Sequence, residues 1–317
     1  MSWFSLNPKK PKTVAIIDIG SSSVGGALVE YRPKAKNLCP AIAYSTRKEI
    51  VFDDNLDFKR FITSLTGALE SVITELHQKA KGPIDHYHCS LPSPLFVSQT
   101  KNIRYGEDRS FIVTPSLLKD ITNKTADTFA ESNRHLYPEL QNDQSFILES
   151  AIMQVRLNGY VIERPEQKKA ETMSISHHVS ISSQAVRQKL LDTIAKFDRR
   201  ASAGFHSYTF EIFSTLRDIL PETSFIAVDV SGELTDVFLV VNDVLFASAS
   251  FPLGRNFLIR TIANEMNTVY AEAESALNLH AQNKSSPTNQ TLLAAKLSPI
   301  RDEWMKHLRQ VLEAFQD

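Results

Sequence analysis

Residues Val14–Tyr31 read VAIIDIGSSSVGGALVEY. An apolar run meets Asp18, then come Gly20, three serines and a second apolar run. VAII is rich in β-branched residues and reads as a buried strand, and GGALVEY reads as its return. Gly20 suits the bend between them, because a side chain there would block a tight turn and the close approach of a ligand. Successive backbone N–H groups around Ser21, Ser22 and Ser23 can form an anion-binding concavity, to which the hydroxyls add donors. A carboxylate repels phosphate unless a cation lies between them, so Asp18 makes this loop suited to phosphate plus a divalent metal. The same residues also fit an ordinary polar hairpin turn.

The device recurs about 200 residues later, in Phe225–Val241, FIAVDVSGELTDVFLVV. An apolar strand again ends in an acid, Asp229. A small-residue turn, Ser231-Gly232, follows, and an apolar strand returns. Thr235 and Asp236 add a hydroxyl and a second carboxylate. Two such hairpins read as the halves of one phosphate clamp, and the pair is far more specific than either alone.

Composition narrows the class. The 317 residues suffice for about two domains. The chain is 42% hydrophobic and 22% charged, ordinary for a globular protein. With 35 basic and 36 acidic residues the net charge is −1, which gives no support for a nucleic-acid footprint. No apolar run reaches the roughly 18 residues of a membrane-spanning helix. The start, MSWFSLNPKKPK, is too short and too polar for a secretory signal and reads as a flexible tail over 1–12. Its Trp3, Phe4 and Leu6 ahead of three lysines also suit an anionic membrane surface. Cys39 and Cys89 are the only cysteines, which fits a reducing cytoplasm and no disulfide framework. His86, His88 and Cys89 lie in DHYHCSL, where alternation puts both histidines on one strand face. That pattern reads as a strand without metal, as does His177-His178 in ISHHVSIS.

The order of elements predicts α/β architecture. A third strand is expected near Ala41–Tyr44. A helix follows from Leu56 to about Lys79, with Phe61, Leu65, Leu69, Val72 and Leu76 on one face, then the strand DHYHCSL. Over 95–175 the pattern changes. FVSQTKNIRY and SFIVTP read as short strands, a helix starts at Thr114-Pro115-Ser116, and two further strands flank the turn Asn158-Gly159. This suggests a small α+β module inserted into a first lobe made of 13–94 and 176–222. Helices are expected at 183–197 and 206–219. In the second lobe, 223–317, FPLG at 251–254 turns into a long helix through Leu279. A polar loop then leads to two more helices, the last with Ile300, Trp304, Leu308, Val311 and Phe315 on one face.

Two acid-bearing hairpins, each followed by helices and separated by an insert, resemble the actin-like ATPase superfamily. Within it the chain is most similar to the group of the cell-division protein FtsA and the pilus-assembly protein PilM. The insert sits early, after DHYHCSLP, and opens with IVTPSLLKDI. ILESAIMQVRLNGYVI resembles that group's strand–turn–strand, and FPLGRNFLIRTIANEMN and AEAESALNL resemble its second-lobe stretches. The resemblance implies a two-lobe, ribonuclease H-like fold binding ATP and Mg²⁺. Asp18, and Asp229 through water, would hold the metal. Gly20, Ser21, Ser22 and Ser23 would bind phosphate from one lobe, and Asp229, Ser231, Gly232, Thr235 and Gly254 from the other. Glu274 would reach the ribose and Glu211 would position a water. Hydrolysis in such a site needs only a placed water and charge stabilisation.

Departures from the pattern bear on that implication. Ser231 and Arg255 stand where the group has glycine, and Leu277 where it has lysine. There is no glycine after Gly254, whereas the group's adenosine motif is a Gly-Gly turn further on. The second lobe is therefore expected to be incomplete, without the base-binding wall or a C-terminal membrane helix. The last helix reads as the one preceding the missing motif, or as a recruited anchor. The leading expectation is an FtsA-like cytoskeletal adaptor, binding ATP, self-assembling into an oligomer or filament, and joining division-ring proteins at the inner membrane. At most it would be a weak ATPase. The alternatives are a PilM-like cytoplasmic scaffold that binds a pilus inner-membrane partner's N-terminal peptide, and a degenerate actin-fold scaffold without nucleotide. A small-molecule kinase lacks its substrate loops here.

Overall fold

In VAIIDI the apolar side chains alternate between two faces, and the strand they form organises the first lobe. The computed structural model describes residues 12–31, 40–50, 57–133, 144–200 and 202–316. The readings made for 1–11, Cys39 and Leu56 fall outside those residues. Strand β1 (Lys12–Ile19) buries Ala15, Ile17 and Ile19 on one face and leaves Ile16 exposed on the other. It pairs antiparallel with β2 (Ser23–Tyr31), which pairs antiparallel with β3 (Ala41–Glu49). On its other side β1 runs parallel to β4 (His86–Leu91), and β4 runs parallel to β9 (Ser202–Ser207). The sheet order is β3-β2-β1-β4-β9.

Helix α1 (Phe58–Lys79) starts where the Asp57 side chain accepts the Arg60 N–H at 3.0 Å. Ile62, Leu65, Leu69, Val72, Ile73 and Leu76 form the buried stripe that packs on the sheet. It shares this core with Val186, Leu190 and Ile194 of α3 (Gln184–Ala195). Gly26 is the point of closest approach, since a Cβ there would overlap Val72 and press on Leu76.

The inserted segment builds its own antiparallel sheet, in the order β5-β8-β6-β7. Its strands are β5 (Phe96–Ile112), β6 (Ser145–Leu157), β7 (Tyr160–Val161) and β8 (Lys169–Ser183). β5 is one long strand rather than the two short ones expected, with its pairing interrupted between Gly106 and Phe111. The Asn158-Gly159 turn has φ of 50° and 88°, the left-handed values that a two-residue hairpin requires. Helix α2 (Pro115–Ser132) is capped by Thr114, whose hydroxyl accepts the Leu117 N–H at 3.1 Å.

Four other expectations need correction. The helix placed at 206–219 begins at Tyr208, as α4 (Tyr208–Ile219), because 202–207 is β9. ASAGFHS gives little strand signal, being mostly small and polar. The second hairpin, β10 (Phe225–Val230) and β11 (Thr235–Val241), gains a third strand, β12 (Val244–Phe251). The long helix expected through Leu279 is split into α5 (Arg255–Met266) and α6 (Tyr270–Ala281). Asn267 takes a left-handed φ of 49°, and the Thr268 N–H returns to the Ala263 carbonyl at 3.0 Å, which closes α5. Conversely, the two last helices are one, α7 (Pro287–Ala314), which continues through Pro299. Its Leu293 and Ile300 pack on α5 and α6, and Trp304, Leu308, Val311 and the following Phe315 pack on β11, β12 and Leu253. None of the described helices is long and apolar enough to cross a membrane.

Substituting Gly26→Ala is expected to force α1 off the sheet and cost about 1–3 kcal/mol, the usual range for overpacking. Urea unfolding of the two proteins checks this, with the m-value unchanged.

Candidate functional site

The turn between β1 and β2 is closed by the Gly20 N–H, which donates to the Ser23 carbonyl at 2.8 Å. Ile17 and Ile19 point to α1, so Asp18 between them projects from the opposite face. There it lies in one cross-strand row: Asp18 is opposite Gly25 on β2, and Gly25 is opposite Arg47 on β3. Because Gly25 has no side chain, Arg47 lies across it; a Cβ at residue 25 would come within 2.7 Å of Arg47 Nη2. The guanidinium donates to Asp18 Oδ2 at 2.5 Å and to Ser23 Oγ at 2.8 Å.

The turn between β10 and β11 is held just as tightly. The Ser231 N–H donates to the Leu234 carbonyl at 2.9 Å. From the start of α5, the Arg255 N–H donates to the Ser231 carbonyl at 2.9 Å and the Asn256 N–H to the Gly232 carbonyl at 2.8 Å. Gly254 packs so closely on this turn that a Cβ would overlap the Gly232 carbonyl. Between the two hairpins lies a cavity of about 200 Å³, whose lining includes Asp18, Ser22, Arg47, Tyr208, Asp229 and Asp236. Burial, and then Asp18, push the Asp229 carboxyl above its usual range. Burial pushes Asp236 up to about 6, opposed by a hydrogen bond from Ser93 and reinforced by Asp229. The Tyr208 phenol is driven up to about 12, first by burial and then by these acids.

The structure thus brings Asp18, Gly20, Ser21, Ser22, Ser23, Asp229, Ser231 and Gly232 together around one cleft. It places the remaining sequence candidates elsewhere. Thr235 is fully buried, donates to the Leu253 carbonyl at 2.7 Å and accepts from Trp304 Nε1 at 3.0 Å, so it serves the packing of α7. Glu274 of α6 is ion-paired with Arg255, the residue in the expected glycine position. Glu211 of α4 hydrogen-bonds His88 Nε2 at 2.5 Å. Burial raises its carboxyl, but the bond from His88 outweighs that and helps hold it below its usual range. His88 stacks on His206 at 4.4 Å between ring centres. His206 lies 3.5 Å from the buried Glu149, and the hydrogen bond it donates to Glu149 raises its pKa. Sequence reasoning missed Arg47 and Tyr208. The signal for Arg47 is the glycine opposite it; Tyr208 became visible only once β9 set where α4 begins.

These residues do not fit a magnesium nucleotide. The acid that would hold the metal is neutralised by an arginine of the same sheet. Among the backbone N–H groups beside the cleft, those of Gly20 and Ser231 donate within their own turns, and the first two of α5 donate to loop carbonyls. A volume of about 200 Å³ also falls below the roughly 300–1,000 Å³ of ordinary ligand pockets. No group of three or more His, Cys, Asp or Glu side chains among the described residues is arranged to hold a metal ion.

The lobes, the paired hairpins and the early insert define the actin-like ATPase fold. A PilM-PilN type IV pilus biogenesis complex shares that fold, with a TM-score of 0.62 and 14% identity, over 96% of this chain and 77% of that one. The ethanolamine utilization protein EutJ from Carboxydothermus hydrogenoformans aligns with a TM-score of 0.47 and 10% identity, over 97% of this chain and 74% of its own. No protein-family model matches the sequence, and a search of characterised proteins gives no match.

Asp236 sets a pH dependence. Its folded-state pKa is raised, so the folded protein binds more protons than the unfolded chain between about pH 4 and 6, and stability falls as pH rises through that window. Asp236→Asn is therefore expected to raise stability at pH 7, by up to about 3 kcal/mol, and to lose that advantage near pH 4. Thermal unfolding of both proteins across this range is the check.

Proposed function

We propose that the protein is a protein-binding scaffold on the actin-like fold, of the PilM type, that takes an extended segment of a partner at the inner face of the cell membrane. One observation carries this reading: a groove about twice the volume of the cleft between the hairpins lies on the inserted module. It has a volume of about 400 Å³ and runs between β5 and α2. Val97, Phe129 and Val179 give it an apolar floor, Thr125 and Thr128 a hydroxyl rim, and Lys101 a cation at the edge. β5 is the outer strand of its sheet among the described residues. A bound segment can therefore add main-chain hydrogen bonds to β5 while alternate side chains enter the groove. The similarity in fold to the PilM-PilN type IV pilus biogenesis complex supports a protein partner. The division-adaptor reading draws no separate support from this geometry, and ATP with Mg²⁺ has no role in the scaffold proposed.

Peptides selected from a displayed library on the intact protein test the reading. Thr128 is exposed on the groove rim, so Thr128→Trp should fill the groove without unfolding the chain. The selected peptides are expected to bind this variant at least about tenfold more weakly, at an unchanged melting temperature. Equal binding to both proteins would place the partner elsewhere. Adding ATP and Mg²⁺ is expected to leave the affinities unaltered.

A further inference from the structure

The two hairpin tips touch directly. Ser21 Oγ accepts the Glu233 N–H at 2.9 Å and lies 3.2 Å from Ser231 Oγ. Gly232 sits against Ser22, so that a Cβ on it would overlap the Ser22 side chain and come within 3.0 Å of the Ser22 nitrogen. Glu233 is fixed from behind. Arg260 donates to its two carboxylate oxygens at 3.1 and 2.6 Å, and Asn256 Nδ2 donates at 2.7 Å. The side chains of this ion pair are only 16% and 15% exposed. A bidentate pair sheltered from solvent holds its geometry where an exposed one does not. The second loop is thus a firm surface on which the first one docks.

The geometry points to a latch made of the protein's own groups: the Ser21 hydroxyl, held by Glu233 and Ser231, and Gly232 seated against Ser22 hold the two lobes closed. In proteins that close around a ligand, the differential affinity of that ligand supplies the closed state. Here the contacts that a phosphate group would have to displace are the contacts that join the lobes. Entry of any such group then requires opening first, and its apparent affinity falls by the fraction of molecules that are open. The latch goes beyond the scaffold reading, because it concerns how the lobes are held and not which partner binds the insert.

Spin labels across the lobes test it in the full chain. Lys59→Cys on α1 and Ala294→Cys on α7 are exposed positions, with Cys39→Ser removing one native thiol and Cys89 buried. The expected result is one narrow interlobe distance, unchanged by millimolar ATP with Mg²⁺. Gly232→Ala should lengthen it, and Ser21→Ala should raise the open fraction about fivefold, the worth of one hydrogen bond. If Gly232→Ala does not fold, Ser21→Ala decides alone, since it removes a single oxygen. A native distance that moves when ATP and Mg²⁺ are added, or an unchanged distribution in Ser21→Ala, overturns the latch.

Discussion

The ion pair that Gly25 allows between Arg47 and Asp18 decides what the cleft can be. Its two side chains are 51% and 42% exposed, and pairs of that kind contribute about 0–1 kcal/mol. Its importance is therefore electrostatic rather than energetic. Three carboxylates, Asp18, Asp229 and Asp236, converge on a half-buried space with a single guanidinium among the described lining residues. Without Arg47, Asp18 would have no counter-ion in this row of strands and the cleft would favour a cation. With Arg47 in place, the acid nearest the first loop already has its counter-ion.

The start of α5 completes the constraint. A helix N-terminus presents free N–H groups and a positive dipole end, and in many folds these hold an anion. The Arg255 and Asn256 N–H groups instead satisfy the Ser231 and Gly232 carbonyls. Gly254 is what permits this, because any side chain there would strike the turn. The same glycine, read in sequence as a phosphate contact, thus brings a loop against a helix. The donors of one motif and the acceptors of the other cancel, and a geometry built from phosphate-binding parts becomes a packing joint.

How much of this was legible in the sequence depends on the range of the interaction. The hairpins, the Asn158-Gly159 turn and α1 are legible because alternation, helical periodicity and Asn-Gly are local signals. β9 was not, since its parallel partner β4 lies more than 100 residues away and supplies the reason for a strand in ASAGFHS. The break at Asn267 and the continuity through Pro299 were likewise set by packing of α5, α6 and α7 on one another. In the site, the loop residues were visible as motifs. Their partners were not, because Arg47 reaches Asp18 only through a strand register, and Glu274 is taken by Arg255 from the neighbouring helix.

The insert and the cleft are joined through one buried carboxylate. Glu149 of β6 accepts the Ser207 N–H at 2.8 Å and the Ser207 hydroxyl at 2.8 Å, and Ser180 of β8 also donates to it. Ser207 is the N-cap of α4, so the charge of Glu149 sits at the positive end of that helix. The next residue, Tyr208, is a wall of the cleft, and Glu211 one turn on binds His88 of the central sheet. An acid with this many donors is costly to move, since any shift leaves a buried carboxylate unsatisfied. The module that carries the groove between β5 and α2 is therefore fixed to the same helix that lines the cleft. A segment bound as proposed at β5 would be held in a defined orientation to both lobes.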